Sequence, residues 1–358
     1  NSKRTTAKGK VNKSSSSKKT YKKSSNAKYD FKPKNKKDYK NKEQVKVQKP
    51  PIKIAFLGGL NEIGKNLTVF ECNDDIILLD CGMAFPDGDM LGVDLVIPDF
   101  SYIEQNKDRV KGIVITHAHE DHIGGLPYLL AKVNVPIYGT RLTVGLIENK
   151  LREHSLDRVS LHVVDAGSSV KLGCFDVELI HVNHSIPDAV GVAIHSPAGT
   201  LVHTGDFKID CTPMSGGMIN LSRFAQLGEE GVLALMADST NASRSGYTAT
   251  EQTVADSFDT LFRRAYNKRI IIATFASNIS RVQQIINCAI KFDRKVAFSG
   301  RSMVNYLTDL RIGQAKRLIR DGNLNFTQVA EQVGYDSIYY FSSLFKKRTG
   351  MTLTEYAK

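Results

Sequence analysis

Four residues within one short segment, His117, His119, Asp121 and His122, form the pattern H-x-H-x-D-H. Imidazole nitrogens and carboxylate oxygens are ligands that zinc prefers, and a single loop of this kind can serve two cations a few ångströms apart. A lone histidine is more often a satisfied surface or core residue. Three histidines and an aspartate in this register, directly after the apolar run that ends at Thr116, instead predict a metal site.

Further candidate ligands follow apolar runs downstream. His184 lies in the segment His184-Ser-Ile-Pro-Asp188 and Asp206 in Thr204-Gly-Asp-Phe-Lys208, where side chains can converge on a cleft from a rigid scaffold. Asp80 ends another apolar run and is a candidate carboxylate for orienting a ligand imidazole. Gly-Asp turns and strand-end histidines are common, so none of these indicates a site by itself. The histidines interpreted as structural are His181, His195 and His203.

The elements that must position these side chains are short β-rich runs broken by Gly and Asp, with helical stretches between them. This alternation predicts an α/β fold in which sheets are covered by helices on their outer faces. The predicted strands are Ile52 to Leu57, Leu67 to Glu71, Ile76 to Asp80, Gly112 to Thr116, Leu201 to His203 and Val232 to Met236. The predicted helices are Leu126 to Val133 and Val144 to His154.

The formal net charge of +12 is unevenly distributed along the chain. Residues 1–50 hold 18 Lys or Arg and 3 acidic residues, whereas residues 51–300 carry a net charge of −7. Because the first 50 residues have almost no aliphatic content, they cannot bury enough surface to offset chain entropy and are predicted to be disordered. Such a tail could collect RNA by counterion release, or could be no more than a solvated extension.

Length and composition bound the class of protein. A chain of 358 residues can hold two or three domains. No run approaches the ~18 apolar residues of a membrane span, and no signal peptide is recognisable, so we expect a cytoplasmic location and no membrane partner. The five cysteines are scattered without a Cys-x-x-Cys pair, which is typical of reduced thiols rather than of disulfides or a Cys-type zinc site.

The order of the candidate ligands from Asp80 to Asp206 resembles the metallo-β-lactamase superfamily, which implies an αββα sandwich with a dinuclear metal cleft. Six motifs resemble, more narrowly, the bacterial ribonuclease J family of β-CASP nucleases over about residues 52–303. They are Gly58-Gly-Leu-Asn-Glu-Ile-Gly-Lys-Asn66, Val96-Ile-Pro-Asp-Phe100, Asn183-His-Ser-Ile-Pro-Asp188, His203-Thr-Gly-Asp-Phe-Lys208, Ala237-Asp-Ser-Thr-Asn241 and Ala273-Thr-Phe-Ala-Ser-Asn278.

The resemblance implies roles for the matching residues. It implies that His117, His119 and His184 hold one zinc ion. Asp121 and His122 would help to hold a second, Asp206 would bridge the two, and Mn²⁺ or Mg²⁺ could replace zinc. The implied reaction is metal-assisted hydrolysis of RNA phosphodiester bonds, from a 5′-monophosphate end and also internally. The implied catalytic residues are Asp121, His122 and Asp206. The implied contacts to the RNA backbone are Ser239, Thr240, Ser277 and Asn278.

Parts of the family pattern are missing from this sequence. The family has a later His-x-Ser-Gly-His phosphate-binding segment and a further histidine for the second zinc site, whereas the last histidine here is His203. The expected arrangement is a disordered tail (1–50), an incomplete metallo-β-lactamase domain (51–249) and a partial β-CASP domain (250–303). We expect this truncation to impair activity and folding. A second copy of the chain, or a ribonuclease J partner, could restore the missing ligand.

From Val304 onwards the sequence predicts three helices with a tight glycine turn between the second and the third. This is helix-turn-helix geometry, which lays its second helix in the major groove of duplex DNA. The predicted boundary residues are Gly322, Asn325 with its capping partner Gln328, Gly334, either Asp336 or Ser337, and Gly350.

The same region, residues 304–358, resembles the second of the two helix-turn-helix units of AraC-type transcription regulators. The motifs are Tyr306-Leu-Thr-Asp-Leu-Arg-Ile312, Val329-Ala-Glu-Gln-Val-Gly-Tyr335 and Tyr340-Phe-Ser-Ser-Leu-Phe-Lys-Lys347. The resemblance implies that an exposed row on the third helix faces DNA, although the row could also be a solvated helix face. The residues of this row are Ser337, Tyr339, Ser343 and Lys346.

Three hypotheses of different classes follow. The first is a ribonuclease J-like zinc-dependent phosphodiesterase acting on RNA. The second is a regulator that binds DNA through the C-terminal unit, and the third is a chimeric remnant with neither activity. Thioester or β-lactam hydrolysis would use the same metal motif, but the flanking motifs favour RNA.

Overall fold

The computed structural model describes residues 49–213 and 216–357, apart from the side chains of residues 301, 302, 306 and 310. The predicted disordered tail lies outside the described residues except for residues 49 and 50. The strands are β1 (Ile52–Gly58), β2 (Leu67–Cys72), β3 (Asp75–Leu79), β4 (Val110–Val114), β5 (Ile137–Gly139), β6 (Leu161–Val163), β7 (Ser169–Leu172), β8 (Phe175–His181), β9 (Val190–Ser196), β10 (Gly199–His203) and β11 (Ala234–Met236).

The helices begin with α1 (Ser101–Gln105), which is followed by a 3-10 turn (Lys107–Arg109). The others are α2 (Glu120–Ile123), α3 (Leu126–Leu130), α4 (Arg141–Glu153), α5 (Leu221–Glu230), α6 (Glu251–Arg264), α7 (Ile279–Lys291), α8 (Arg301–Asp321), α9 (Phe326–Gln332), α10 (Ile338–Thr349) and α11 (Leu353–Tyr356). The six predicted strands and two predicted helices are all present, with ends shifted by a few residues. None of the described helices is long and apolar enough to cross a membrane.

Two mixed sheets form the body of the protein. The first has the strand order β1-β2-β3-β4-β5-β6, antiparallel from β1 to β3 and parallel from β3 to β6. The second has the order β11-β10-β9-β8-β7, antiparallel except for the β10-β11 pair. Because β3 and β4 are parallel neighbours, the loops that follow them leave from the same edge of the sheet.

Alternation along the strands assigns each side chain to one of two cores. In β3, Ile76 and Leu78 face the core under α1, α3 and α4, whereas Ile77 and Leu79 face the core between the two sheets. The outer face of the second sheet is covered by α5, where Leu227 packs in a small cluster with residues of β8, β9 and β10. The layers are therefore helix, sheet, sheet, helix, as the αββα prediction required.

After β11 the described chain continues in helices alone. Helices α6 and α7 pack through a small core that includes Phe258, Phe262 and Ala289. The remaining helices, α8 to α11, form a separate core around Phe341 and Phe345, both of which are fully buried.

The predicted caps and helix ends of the C-terminal part are confirmed, whereas α8 begins at Arg301, ahead of the predicted Val304, and the short helix α11 was not predicted. Gly322 and Gly350 end α8 and α10 in the left-handed conformation, and Gly334 has a φ of 85° in the turn between α9 and α10. Asn325 and Gln328 form a reciprocal capping box at the start of α9. Of the two alternatives for the start of α10, the N-cap is Ser337.

A buried carboxylate in β2 ties the first sheet to α1 and the 3-10 turn. Glu71 accepts hydrogen bonds from Tyr102, from Arg109 at 2.8 Å and from Lys53 at 3.0 Å. The hydrogen bond from Tyr102, then that from Arg109, lowers the pKa of Glu71 from its ordinary 4.5 to about 2, against the opposing effect of burial.

Because the folded state has the lower pKa, this contribution to stability is complete above the unfolded value of 4.5 and is lost as the pH falls towards 2. We predict that Glu71→Gln lowers the free energy of unfolding by about 1–2 kcal/mol at pH 7, since the partners are partly exposed. The difference from the unsubstituted chain should shrink below pH 4.5. Urea unfolding at several pH values measures it. Glu104→Gln, which breaks the exposed pair with Lys132, is the control, and an equal loss in that variant would contradict the prediction.

Gly82 lets two backbone segments lie against each other beneath the H-x-H-x-D-H segment. A Cβ atom at Gly82 would lie 1.5 Å from the carbonyl oxygen of Asp121. The Asp121 oxygen also accepts from the backbone N–H of Asn66 at 3.0 Å, and Cys81 N–H donates to the oxygen of His122 at 2.8 Å. Any side chain at position 82 must therefore push the segment from Asp121 to His122 outwards.

We predict that Gly82→Ala destabilises the protein by about 1–3 kcal/mol or more, as overpacking of a close contact does. Gly88→Ala is a matched control, because a Cβ atom there meets no other atom within 4 Å. Urea unfolding of both variants is the measurement. A Gly82→Ala protein as stable as Gly88→Ala would show that the two segments separate without cost.

Candidate metal centre

The predicted ligand segment spans the loop after β4 and the short helix α2, at the edge of the sheet where β3 also ends. His117 and His119 lie in the loop itself, whereas Asp121 and His122 lie in the single turn of α2. His117 and His122 are each only 1% exposed. Buried imidazoles need a fixed partner for each ring nitrogen, so their surroundings determine which nitrogen faces the cleft.

Asp80, directly after β3, supplies that partner for His122. Its carboxylate lies 2.8 Å from His122 Nδ1 and accepts from the backbone N–H of Thr116 at 2.8 Å and from the Thr116 hydroxyl at 2.9 Å. The backbone of Asp80 has a φ of 59°, which turns the chain sharply out of the strand. His122 Nε2 consequently points into the cleft, 3.4 Å from an oxygen of Asp206 and 3.4 Å from one of Asp121.

The other histidines meet on the opposite side of Asp206. His119 Nδ1 lies 3.0 Å from His117 Nε2 and 3.2 Å from His184 Nε2. An oxygen of Asp206 lies 4.0 Å from His117 Nε2 and 3.7 Å from His184 Nε2. Residues from three separate loops, after β4, β8 and β10, therefore converge within one small volume.

Two groups of three donor atoms satisfy the spacing of a metal site, each with its atoms within 4.8 Å of one another. One is His117, His119 and His184, and the other is His117, His122 and Asp206. With Zn–N distances of about 2.0–2.1 Å, tetrahedral coordination places neighbouring donors about 3.3 Å apart. The observed separations of 3.0 and 3.2 Å at His119 are close to this value, so the first group fits a zinc-sized ion.

The predicted ligand Asp121 belongs to neither group of three, although its carboxylate approaches His122 Nε2. Its assignment as a ligand remains a prediction. His181, His195 and His203, interpreted as structural, also lie outside both groups. His203, for example, accepts a hydrogen bond from the backbone N–H of Gly205 at 3.0 Å.

The protonation states favour cation binding in most of the cluster. Burial lowers the pKa values of His117, His119 and His184, which keeps these imidazoles neutral and able to donate a lone pair. Burial would raise the pKa of Asp206, but His122 and the neighbouring histidines lower it to about 2. His122 differs, because Asp80, Asp121 and Asp206 together outweigh its burial and raise its pKa.

His184 owes its position to the loop that ends at Asp188. Asp188 has a φ of 72°, and its carboxylate accepts from the backbone N–H of Leu142 at 3.1 Å, in the first turn of α4. The Thr140 hydroxyl donates to the Asp188 carbonyl at 2.8 Å. The segment from His184 to Asp188 is thereby fastened to the first sheet's helical layer, although His184 itself follows a strand of the second sheet.

Two residues that contact the ligands had no role in the sequence prediction. Asn66 Nδ2 lies 3.1 Å from His122 Nε2 and donates to the Asp121 carbonyl at 3.1 Å. Thr116 bonds Asp80 and lies 3.1 Å from His117 Nδ1. The available signal was their place in the motifs, since Asn66 ends the glycine-rich motif and Thr116 directly precedes His117.

The predicted RNA contacts are only partly brought to the cleft. Asn278 and His184 line the same small cavity of about 30 Å³, although the Asn278 side chain also caps α7. Ser277 is half-buried beside it. Ser239 and Thr240 lie in an exposed turn after β11, where Thr240 donates to Asp238 at 2.6 Å.

The predicted DNA-contacting row on α10 is exposed at all four positions, Ser337, Tyr339, Ser343 and Lys346. The Ser337 hydroxyl, however, accepts from the N–H of Tyr340 as the helix cap. Tyr339 is 86% exposed, which leaves its ring free of packing against the module's core. The structure is therefore compatible with a nucleic-acid-facing helix and equally with a solvated one.

Comparison with known proteins identifies three families along the chain. Residues 61–222 match the metallo-beta-lactamase superfamily, and residues 267–335 match the beta-CASP domain of ribonuclease J. Residues 319–358 match the bacterial regulatory helix-turn-helix proteins of the AraC family. The last two matches overlap at residues 319–335, so the predicted boundary between 303 and 304 stays a prediction.

Among similar proteins, ribonuclease J of Helicobacter pylori (strain J99) is 49% identical over 257 residues, covering 71% of this chain and 37% of the relative. Ribonuclease J of Thermus thermophilus is 48% identical over 263 residues, covering 71% and 46%. The Mycobacterium tuberculosis protein is 40% identical over 290 residues, covering 80% and 51%. The chain thus spans about half or less of the length of these relatives.

A solved structure of a protein of unknown function from Enterococcus faecalis V583 has a TM-score of 0.51 at 17% identity, covering 69% of this chain and 70% of that one. This likeness supports the fold alone. The sequence matches go further: the chain is a homologue of ribonuclease J with a metallo-β-lactamase fold, and it continues at its C-terminal end in a segment of the AraC helix-turn-helix type.

Proposed function

We propose that this chain is a metal-dependent hydrolase of RNA phosphodiester bonds, of the ribonuclease J type, with zinc as its ion. The observation that carries the proposal is the pair of three-donor groups that share His117, the second of which includes Asp206. The identity of about 48% to ribonuclease J supports RNA as the substrate class, rather than a thioester or a β-lactam.

The proposed centre holds two neighbouring ions. His117, His119 and His184 would hold one, and His122, Asp206 and Asp121 would hold the other. Two divalent ions in such a site lower the pKa of a bound water and neutralise charge on the phosphate. Asp80 keeps His122 in the tautomer whose Nε2 faces the cleft, and Asn66 fixes the backbone of Asp121.

The contacts proposed for the RNA backbone lie on two segments. Asn278, at the start of α7, borders the cavity that His184 lines, and Ser277 precedes it. Ser239 and Thr240 would contact phosphates from the turn after β11. Hydroxyl and amide groups suit this purpose, because they bond phosphate and sugar oxygens without selecting a base.

A second candidate function is binding of duplex DNA by α9 and α10. The match of residues 319–358 to the AraC family and the exposed row on α10 favour it. The lysine side chains near the end of α10, Lys346 and Lys347, would neutralise phosphates. The two functions occupy different parts of the chain and can be tested separately.

We predict that Asp206→Asn lowers turnover of an end-labelled 5′-monophosphate RNA by more than about 100-fold, since loss of even the outer partner of a metal ligand costs about 10- to 100-fold. Nucleotide release with added Zn²⁺ or Mn²⁺ is the measurement. Asp108→Asn, an exposed position on the 3-10 turn, is the control and should leave turnover unchanged. Equal turnover by the unsubstituted and Asp206→Asn proteins would contradict the proposal, and so would an unsubstituted chain that binds no metal.

We predict that Lys346→Ala weakens duplex binding and reduces the slope of log K against log salt by about 1, the effect of losing one phosphate contact. Fluorescence anisotropy of a labelled duplex over a salt series measures both quantities on the full chain. Lys132→Ala is the matched control, because Lys132 is exposed and lies within residues 61–222, which match the metallo-beta-lactamase superfamily. The DNA hypothesis fails if both variants bind alike.

A further inference from the structure

The loops that carry His184 and Asp206 are joined by one backbone hydrogen bond. Lys208 N–H donates to the carbonyl of Asn183 at 2.7 Å, and the two residues form an isolated antiparallel bridge. Asn183 directly precedes His184, and Lys208 lies two residues after Asp206. Asn183 is itself fixed, because its amide donates to Gly217 at 2.7 Å and its side-chain oxygen accepts from Ile219 at 2.9 Å. A displacement of Lys208 would therefore move both donors.

The side chain of Lys208 is held by Glu251, the first residue of α6. Lys208 Nζ donates to Glu251 Oε1 at 2.6 Å and lies 3.6 Å from Asp210. The backbone N–H of Glu251 in turn donates to Asp210 Oδ2 at 3.0 Å. The Asp210 side chain is 1% exposed, and the side chains of Lys208 and Glu251 are 22% and 18% exposed, so these contacts are largely shielded from solvent. The start of α6 and the loop from Asp206 to Asp210 thus hold each other through two reciprocal contacts.

Glu251 also reaches α7 with its second carboxylate oxygen. Arg281 Nη2 donates to Glu251 Oε2 at 3.0 Å, and Gln284 Nε2 lies 3.5 Å from the same atom. Burial opposes ionisation of Glu251, but the hydrogen bonds from Lys208 and Arg281 lower its pKa overall. The carboxylate is therefore charged at neutral pH and occupied on both oxygens, one towards the metal loops and one towards α7.

We propose that Glu251 is a positioning residue of the metal centre, which fixes Lys208 and through it the places of Asp206 and His184. The proposal rests on the metal centre proposed above. It gives α6, which follows the part of the chain that carries the donors, an influence on their positions through Lys208. A glutamine at this position has nearly the same shape but no charge. It turns an N–H₂ group towards either Lys208 or Arg281 and offers only a neutral oxygen to the other, so Glu251→Gln weakens or removes the contact with Lys208 in both orientations.

The test is titration of the full chain with Co²⁺, followed by the visible absorption of the bound ion. Glu251→Gln should weaken Co²⁺ binding by up to about 10-fold and change the spectrum, since it acts through Lys208 and a direct outer partner of a ligand costs about 10- to 100-fold. Asp259→Asn is the matched control, because Asp259 lies on the same helix and also pairs with a cation of α7, Lys291, as well as with Arg263. It should leave both readouts unchanged. If Glu251 only stabilised the packing of α6 against the rest of the protein, both variants would lose thermal stability and neither would lose affinity for Co²⁺.

A double-mutant cycle distinguishes action through Asp206 from an independent effect. In an Asp206→Asn background, Glu251→Gln can weaken Co²⁺ binding only through the displacement of His184. The loss of affinity should therefore be smaller than the loss that Glu251→Gln causes in the unsubstituted chain. An equal loss in the two backgrounds, or full Co²⁺ affinity in Glu251→Gln, overturns the proposal.

Lys208→Met removes the same contact from the other side and provides the test if Glu251→Gln does not fold. It too should weaken Co²⁺ binding, and unchanged affinity would overturn the proposal. An unsubstituted chain that binds no Co²⁺ would overturn the metal centre and this role together. Loss of RNA turnover with Co²⁺ binding intact would count only against the proposed reaction.

Discussion

The site depends on one buried carboxylate, that of Asp80. It is 2% exposed and bonds three groups at once: the backbone N–H and the hydroxyl of Thr116, and Nδ1 of His122. A carboxylate this deep is tolerated only with its acceptor sites filled, so the loop after β4 must approach the end of β3 closely. Gly82 permits that approach on the other side, where its backbone meets the carbonyl of Asp121. The geometry of the cleft follows from the need to fill the hydrogen-bond acceptor sites of the Asp80 carboxylate.

The two-sheet sandwich fixes the ends of the strands from which the ligand-bearing loops start. All six residues of β2 and four of the five in β3 are buried, because each strand has one face on a helical layer and one on the second sheet. In the sequence such strands are continuous apolar runs, and in the fold they are packed on both faces. A loop that leaves a strand so constrained starts from a fixed point. His184 and Asp206 start from β8 and β10 of the other sheet, so the cleft lies where the two sheets open towards the same edge.

How much the sequence could predict depended on whether the signal was local. The H-x-H-x-D-H segment lies in one loop, and the caps at Asn325, Ser337 and Gly350 are set by neighbouring residues, so both were predictable. Strands β5 to β9 were not predicted. Strands β5, β6 and β7 have only three or four residues each, whereas β8 and β9 were missed although each has seven. Asn66 could not be assigned either, since it meets Asp121 across 55 residues of sequence, and only the fold reveals that contact.

The charges of the cleft favour the binding of a divalent cation. His117, His119 and His184 have lowered pKa values and contribute no positive charge, whereas Asp121 and Asp206 have lowered pKa values and stay ionised. Protonated His122 would then be the only positive group among these ligands, facing the carboxylates of Asp80, Asp121 and Asp206. The carboxylates outnumber the protonated imidazole, and a divalent ion bound in place of the proton on His122 Nε2 would reduce this excess of negative charge. Ion binding would then be coupled to the stability of the loop from Thr116 to His122.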